Sequence, residues 1–319
     1  MEARAEARRR RKNTDGHTGR VLAEENKKPL ILPNRCKDVY SFEEIIKLQS
    51  RLYEDGITAL DLSGVDFVEP YSMVGLLLAG RNYLRNTGTK LGIVNVPVKI
   101  HQYLSRMDFF EEGIFTLMDK MDPSLLYKRS AFSNRVIEIT EIPNKERESI
   151  SAISDIIGLF RKRAKFILKY WLSPTIIDYF VTVISEVCQN IFEHSLDSGY
   201  CAMQTYTMGS DRIVRLVIAD SGIGFRESFS GKTDLSYEST AKLIEMALTT
   251  PISSKRRFGY GLCQVNAIIE KLGGGIYIRS CDGSVAVMHN RKQSGSNYSF
   301  LRNDLPWFSG TQISISLFN

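Results

Sequence analysis

The chain has 319 residues, a hydrophobic content of 43% and a formal net charge of +6. This length suits two domains. The absence of any apolar run long enough to cross a bilayer or form a signal peptide excludes a membrane-spanning or secreted protein. Residues 1–28 hold nine Lys/Arg and five Asp/Glu, so most of the positive charge lies there and the remainder is close to neutral. We therefore expect a cytoplasmic protein without a basic nucleic-acid-binding face on its folded body.

The tail at 1–28 contains the basic run Arg8–Lys12. Such a run can contact nucleic acid, an anionic surface or an acidic partner, but its composition favours a solvated, disordered segment. The five cysteines have no CxxC or metal-ligand spacing, and the four histidines are scattered. The sequence therefore predicts reduced thiols and no zinc site.

The segment 29–118 alternates between helical and strand patterns. The predicted elements are a helix from Ser41 to about Glu54, a strand over 57–64, a helix over 71–86, a strand over 90–96 and a helix from about Val98. Strands that alternate with helices indicate an α/β layer. Residues 119–134, interrupted by Asp122-Pro123, are interpreted as a linker.

A second set of elements is predicted over 135–319, as an α/β sandwich. It comprises a strand at 136–140, a helix over 147–169, a helix capped by Ser173 with Pro174 at its first position, strands at 201–207 and 213–219, helices near 238–248 and up to Leu272, and a last strand at 311–317. The helix after Ser173 carries an apolar stripe at helical spacing, so one of its faces is predicted to be buried.

Beside that stripe, Glu186, Asn190 and His194 recur at four-residue intervals. They lie on one side of the helix and are expected to edge a pocket. A carboxylate and an amide oxygen one turn apart suit a magnesium ion and an attacking water. Taken alone, the pattern also fits a half-exposed polar face.

The next signal is the apolar strand that ends at Asp220, followed by Gly222 and Gly224. A buried carboxylate at a strand end can accept a hydrogen bond from an exocyclic amine such as adenine N6. Glycines after it allow the backbone to approach a flat ring, although Asp-Ser-Gly is also ordinary turn chemistry.

The third signal is a pair of glycines, Gly259 and Gly261, at the start of the helix that ends near Leu272. A glycine-rich entry to a helix presents free N–H groups to phosphate, and the preceding Arg257 can pair with phosphate oxygens. The segment is neither a P-loop nor a dinucleotide-binding fingerprint, because both lack the required residues here.

Together these elements resemble the GHKL ATPase superfamily, which includes type II topoisomerase ATPase domains, a heat-shock chaperone, sensor histidine kinases, mismatch-repair ATPases and anti-sigma-factor serine kinases. EVCQNIFEH (186–194) resembles its Asn box, DSGIGF (220–225) its first glycine box, GYGL (259–262) its second, and GTQISI (310–315) its closing strand. The resemblance covers about 135–319 and implies the Bergerat fold.

The resemblance implies a role for each matching residue and predicts ATP and Mg²⁺ as cofactors. Glu186 would be the general base and Asn190 the magnesium ligand. The adenine end would be bound by Asp220 and Thr311, with Gly222 and Gly224 lining the base. The phosphate end and its flank would involve His194, Arg257, Gly259, Tyr260, Gly261 and Leu262, beneath a mobile lid at about 228–258.

Within the superfamily, Glu186, His194 and Arg257 are most similar to the anti-sigma-factor serine kinases. Histidine-kinase domains usually carry no glutamate at the Glu186 position. We also expect the chain to contain neither a phosphoacceptor helix nor a transducer domain.

The segment ALDLSGVDFVEPYSMVGLLLAGRNYLRNTGTKLGIVNVP (59–97) resembles a STAS domain, the fold of anti-sigma-factor antagonists. Those antagonists usually carry an Asp-Ser pair where this chain has Glu69 and Pro70. Proline has no hydroxyl to phosphorylate, so docking or dimerisation is expected instead. A plain α/β module is the alternative.

Three functions remain open from the sequence. The first is an ATPase or serine kinase that controls a protein partner, for example one with a STAS or sigma-factor-like fold. The second is an ATP-dependent switch or scaffold without useful hydrolysis. The third is an ATP-gated clamp on nucleic acid that uses the basic tail. A homodimer is compatible with all three.

Overall fold

The computed structural model describes residues 28–36, 39–54, 56–120, 133–144, 150–209, 211–231, 234–252, 261–289 and 297–318. Most of the predicted tail and linker therefore lies outside the described residues, although the first strand already begins at Lys28. None of the helices in these ranges is long and apolar enough to cross a membrane.

The N-terminal region is a parallel sheet with helices, as the alternating pattern predicts. Four strands pair in the order β1-β3-β5-β6, and two short strands, β2 and β4, pair separately. The strands are β1 (Lys28–Ile31), β2 (Arg35–Cys36), β3 (Ile57–Asp61), β4 (Phe67–Val68), β5 (Leu91–Val94) and β6 (Phe115–Leu117). The helices are α1 (Val39–Arg51), α2 (Pro70–Thr87) and α3 (Val98–Arg106), followed by a 3-10 turn at Phe109–Glu112.

The C-terminal region is built on a seven-stranded antiparallel sheet in the order β12-β11-β10-β13-β9-β8-β7. Its strands are β7 (Val136–Ile142), β8 (Gly199–Met208), β9 (Asp211–Asp220), β10 (Gly275–Cys281), β11 (Gly283–His289), β12 (Asn297–Arg302) and β13 (Phe308–Phe318). Its helices are α4 (Ile150–Leu168), α5 (Pro174–His194), α6 (Gly224–Phe229), α7 (Thr240–Thr249) and α8 (Gly261–Leu272). The predicted α/β fold class is thus confirmed for both regions.

Some local expectations differ from the structure. Helix α1 begins at Val39, two residues before the predicted start at Ser41. Ser173 occupies the N-cap position of α5, but its side chain makes no capping hydrogen bond. The short helix α6 was not predicted, because its six residues are too few to show helical periodicity.

Both faces of the large sheet are buried. One face packs against the C-terminal helices in a core that includes Phe180, Val187 and Ile218. The other face packs against the N-terminal region, in a second core that joins Phe42 to Phe308 and to Val217. Helix α2 lies on β8 and β9, so the N-terminal region is seated directly behind the strand that ends in Asp220.

Candidate functional site

The phosphate-side residues meet where α5 and α8 approach each other. Both Glu186 and Asn190 are half-buried on α5. A β-carbon built on Gly261, the first residue of α8, would lie 3.6 Å from Glu186 Oε2 and 3.6 Å from Asn190 Oδ1. The structure therefore brings together two sequence elements that lie about seventy residues apart in the chain, and the side-chain-free Gly261 faces the carboxylate and the amide.

Asp220 ends β9 as predicted, and its carboxylate is buried, with 5% of the residue exposed. Ser195 Oγ donates to Asp220 Oδ1 at 2.6 Å, and the backbone N–H of Gly222 donates to the same oxygen at 2.8 Å. Burial raises the pKa of Asp220 to about 6, helped by the negative charge of Asp197, although donors from Ser195, Gly222 and the Thr311 backbone oppose the rise. The carboxyl group thus titrates near neutral pH.

Gly222 and Gly224 are held in places where a side chain does not fit. A β-carbon on Gly222 would overlap the carbonyl oxygen of Ser195. Gly224 has φ of 71°, and a β-carbon there would lie 2.8 Å from Ser280 Oγ and 3.0 Å from the Gly310 carbonyl. These glycines are required for the close approach of the loop after β9 to its neighbours.

Ser195 fastens the end of α5 to that loop. Its carbonyl accepts a hydrogen bond from the Ile223 N–H at 3.0 Å, while its hydroxyl contacts Asp220. The sequence analysis missed this residue, although Ser195 directly follows the predicted Asn box. A polar residue next to a recognised motif is the signal that could have found it.

Ser280 on β10 is a second residue that the sequence analysis missed. Its hydroxyl accepts from the Phe225 N–H at 3.0 Å, donates to the Gly310 carbonyl at 2.7 Å and lies 3.2 Å from Thr311 Oγ1. Thr311, which the sequence predicted beside the adenine, therefore lies at the same end of the site as Asp220. No local motif marks Ser280, because it reaches the site only through strand pairing.

Several predicted site residues are not placed by the structure. Arg257, Gly259 and Tyr260 lie outside the described residues, as does much of the predicted lid. His194 is the last residue of α5, but its side chain is not described. Leu262 is half-buried and packs against the main core.

The donor set suits magnesium that is bound mainly through a substrate. In the described ranges, no group of three His, Cys, Asp or Glu side chains could hold a metal ion. Magnesium commonly takes only one or two protein oxygens and completes its shell with water and substrate phosphates. Asn190, with Glu186 one turn away, offers that number of oxygens beside the start of α8.

The comparisons with known proteins agree with this geometry. Residues 176–300 match the family described as "Histidine kinase-, DNA gyrase B-, and HSP90-like ATPase". A comparison with curated proteins found no match. The matched segment contains Glu186, Asn190, Asp220 and Gly261. The antiparallel sheet with its helices is the Bergerat fold of this GHKL family.

Proposed function

We propose that this chain, whose residues 176–300 form a GHKL ATPase domain, binds Mg-ATP between α5, α8 and the end of β9 and uses the nucleotide to control a protein partner. The observation that carries the proposal is the position of Gly261, whose missing side chain leaves space beside both Glu186 and Asn190. Residues of opposite ends of the domain thereby form one phosphate-side wall.

The adenine side is supported by the hydrogen bonding of Asp220. A carboxylate has about four lone-pair positions, and here three donors belong to Ser195, Gly222 and Thr311. One position is left for an exocyclic amine such as adenine N6. Because a carboxylic acid cannot accept in the same way as a carboxylate, the charged form is the one that binds adenine.

The length of α5 matches a nucleoside triphosphate. Ser195, at the adenine side, follows Glu186 by nine residues, which is a rise of about 14 Å along a helix. That distance is comparable with the span from the base to the terminal phosphate of ATP. One helix therefore connects the residue that contacts Asp220 with the two residues that face Gly261.

In this arrangement Glu186 would take a proton from the attacking water or hydroxyl, and Asn190 would hold the magnesium ion. Magnesium, when bound, would neutralise charge on the phosphate oxygens. Arg257 and Gly259 remain predicted phosphate contacts, Tyr260 and His194 predicted site residues, and the segment 228–258 a predicted lid. The nucleophile would be water in an ATPase, or a partner's serine in a kinase of the anti-sigma type.

The STAS resemblance of 29–118 adds a proposal about the partner. Glu69, which stands at the position of the usual Asp in the phosphorylated pair, is buried and accepts a hydrogen bond from Tyr206 at 2.9 Å. This position therefore faces the chain's own sheet, which supports a docking role over a phosphorylation switch. A partner protein would be bound by other surfaces of the same region.

The test is Glu186→Ala in the full chain, with Asp178→Ala as the matched control. Asp178 is also an acidic residue of α5, but it is exposed and paired with Lys165 at 2.8 Å. We expect the control to keep wild-type Mg-ATP binding and turnover, and Glu186→Ala to bind but not turn over. ATP hydrolysis and autophosphorylation are measured together with calorimetric binding.

Absence of Mg-ATP binding by the wild-type chain would refute the proposal. Binding without turnover in the wild type would favour the switch without hydrolysis. Equal turnover by Glu186→Ala and the wild type would remove Glu186 as the base.

A further inference from the structure

A buried charge cluster connects the N-terminal region to the adenine side of the site. Asp197, in the turn between α5 and β8, is bound by two arginines of α2. Arg85 Nη2 donates to Asp197 Oδ2 at 2.6 Å, and Arg81 Nη2 donates to Oδ1. The Arg81 side chain is only 11% exposed and lies over the Tyr200 ring at 5.5 Å. This is an interdomain contact rather than a surface ion pair.

Asp197 also reaches the loop that carries Asp220. Ser221 Oγ donates to Asp197 Oδ2 at 2.7 Å, and Ser221 is the residue directly after Asp220. The Asp197 charge contributes to the raised pKa of Asp220. Burial opposes ionisation of Asp197, but the bond from Arg85 and the charge of Arg81 outweigh it and lower the Asp197 pKa. Asp197 is therefore charged, and its charge is compensated from the N-terminal region.

A second buried ion pair crosses the same interface at the other side of the site. Arg279 on β10 is fully buried, and its Nε donates to Glu43 Oε1 of α1 at 2.8 Å. Arg279 directly precedes Ser280, whose hydroxyl lies 3.2 Å from Thr311 Oγ1. Both strands that carry adenine-side residues are thus held by charges from the N-terminal region.

We infer that Asp197 is a positioning residue of the nucleotide site, through which Arg81 and Arg85 set the charge environment of Asp220 and the position of Ser221. The inference rests on the proposed binding of ATP. It makes the N-terminal region a part of the nucleotide site rather than a separate docking module, so that disturbing α2 alters adenine recognition.

The groups around Asp220 define the expected pH effect. Among the described side chains, Ser195 faces it from α5, Ser221 from its own loop and the Thr311 N–H from β13. The nearby charges are Asp197 and the two arginines, with Glu141 acting on Arg81. Burial raises the pKa of Tyr200, so this neighbour stays neutral.

Two single changes should move the pH dependence of ATP binding in opposite directions. Asp197→Asn keeps an acceptor for Ser221 but removes the negative charge, so Asp220 stays ionised to lower pH. Arg85→Gln leaves the Asp197 charge less compensated, so Asp220 becomes protonated at higher pH. Arg85 is 48% exposed, which makes this variant compatible with folding. A general structural defect would move both variants the same way.

The experiment measures Mg-ATP and Mg-GTP affinity of the full chain by calorimetry between about pH 5 and 8, where the Asp220 carboxyl titrates. Asp178→Asn, which changes an exposed acid of α5, is the control. Thermal unfolding at each pH verifies that every variant is folded. Because ligand titration is the same for all variants, only the ratio of each variant to the wild type is compared.

We expect the loss of ATP affinity at acid pH to begin lower in Asp197→Asn and higher in Arg85→Gln than in the wild type. A third variant, Asp197→Ala, also removes the Ser221 bond and should reduce the preference for ATP over GTP about three- to tenfold. Midpoints that move in the same direction, or that stay at the wild-type value as in Asp178→Asn, would overturn the inference. A wild type that does not bind Mg-ATP refutes the proposed function instead.

Discussion

Asp220→Asn should change how the stability of the protein depends on pH. The Asp220 carboxyl has a pKa of about 6 in the folded chain, against an ordinary value of 3.8. The folded state therefore holds a proton that the unfolded state has already lost between these two values. The stability from this proton is fully present below pH 3.8 and disappears as the pH rises through about 6.

The two pKa values correspond to about 3 kcal/mol of unfolding free energy. Asparagine keeps the oxygen contacted by Ser195 and Gly222 but does not titrate. The free energy of unfolding of Asp220→Asn should therefore rise relative to the wild type by up to about 3 kcal/mol between pH 4 and 7. Contact losses in the variant change the size of the difference at every pH, but not its slope.

The assay is urea unfolding of both chains without nucleotide, followed by circular dichroism at pH values across this window. A difference that stays constant with pH would refute the reasoning, because it would mean that Asp220 titrates alike in both states. Calorimetry with Mg-ATP supplies the second half of the test. At pH 7 the variant should bind poorly, because its amide donates where adenine N6 needs an acceptor, and wild type should approach the variant as the pH falls below about 6.

Two further predictions separate folding from binding. Gly222→Ala forces a methyl group onto the Ser195 carbonyl and should cost about 2 kcal/mol or more of unfolding free energy in urea titrations, whereas Gly261→Ala meets only ordinary contacts and should keep wild-type stability. The same Gly261→Ala should weaken Mg-ATP binding about tenfold by calorimetry, and unchanged affinity would contradict its place in the site. Arg279→Met leaves Glu43 buried without its cation and should cost about 3–5 kcal/mol of unfolding free energy, much of which Glu43→Gln in the same chain should restore; equal stability of Arg279→Met and wild type would contradict a buried pair.

Much of the fold could be predicted because its signals are local. The apolar run that ends at Asp220, the proline at the start of α5 and the apolar stripe along that helix each depend on residues within a few turns or strand pairs. Gly222 and Gly224 were also recognisable, because a loop that bends after a strand needs residues without side chains. The exact start of α1 and the six-residue α6 were not, since neither has a long enough periodic pattern.

The sequence by itself determined the chemical groups of the site: a carboxylate and an amide one turn apart on α5, a carboxylate at the end of β9, and glycines before α8. Only the tertiary structure decided which distant residues stand beside them. Arg81 and Asp197 are separated by 116 positions, and Glu43 and Arg279 by 236. Such pairs leave no periodic trace, because they form only when the N-terminal helices pack on the free face of the sheet, and there burial makes their charges strong.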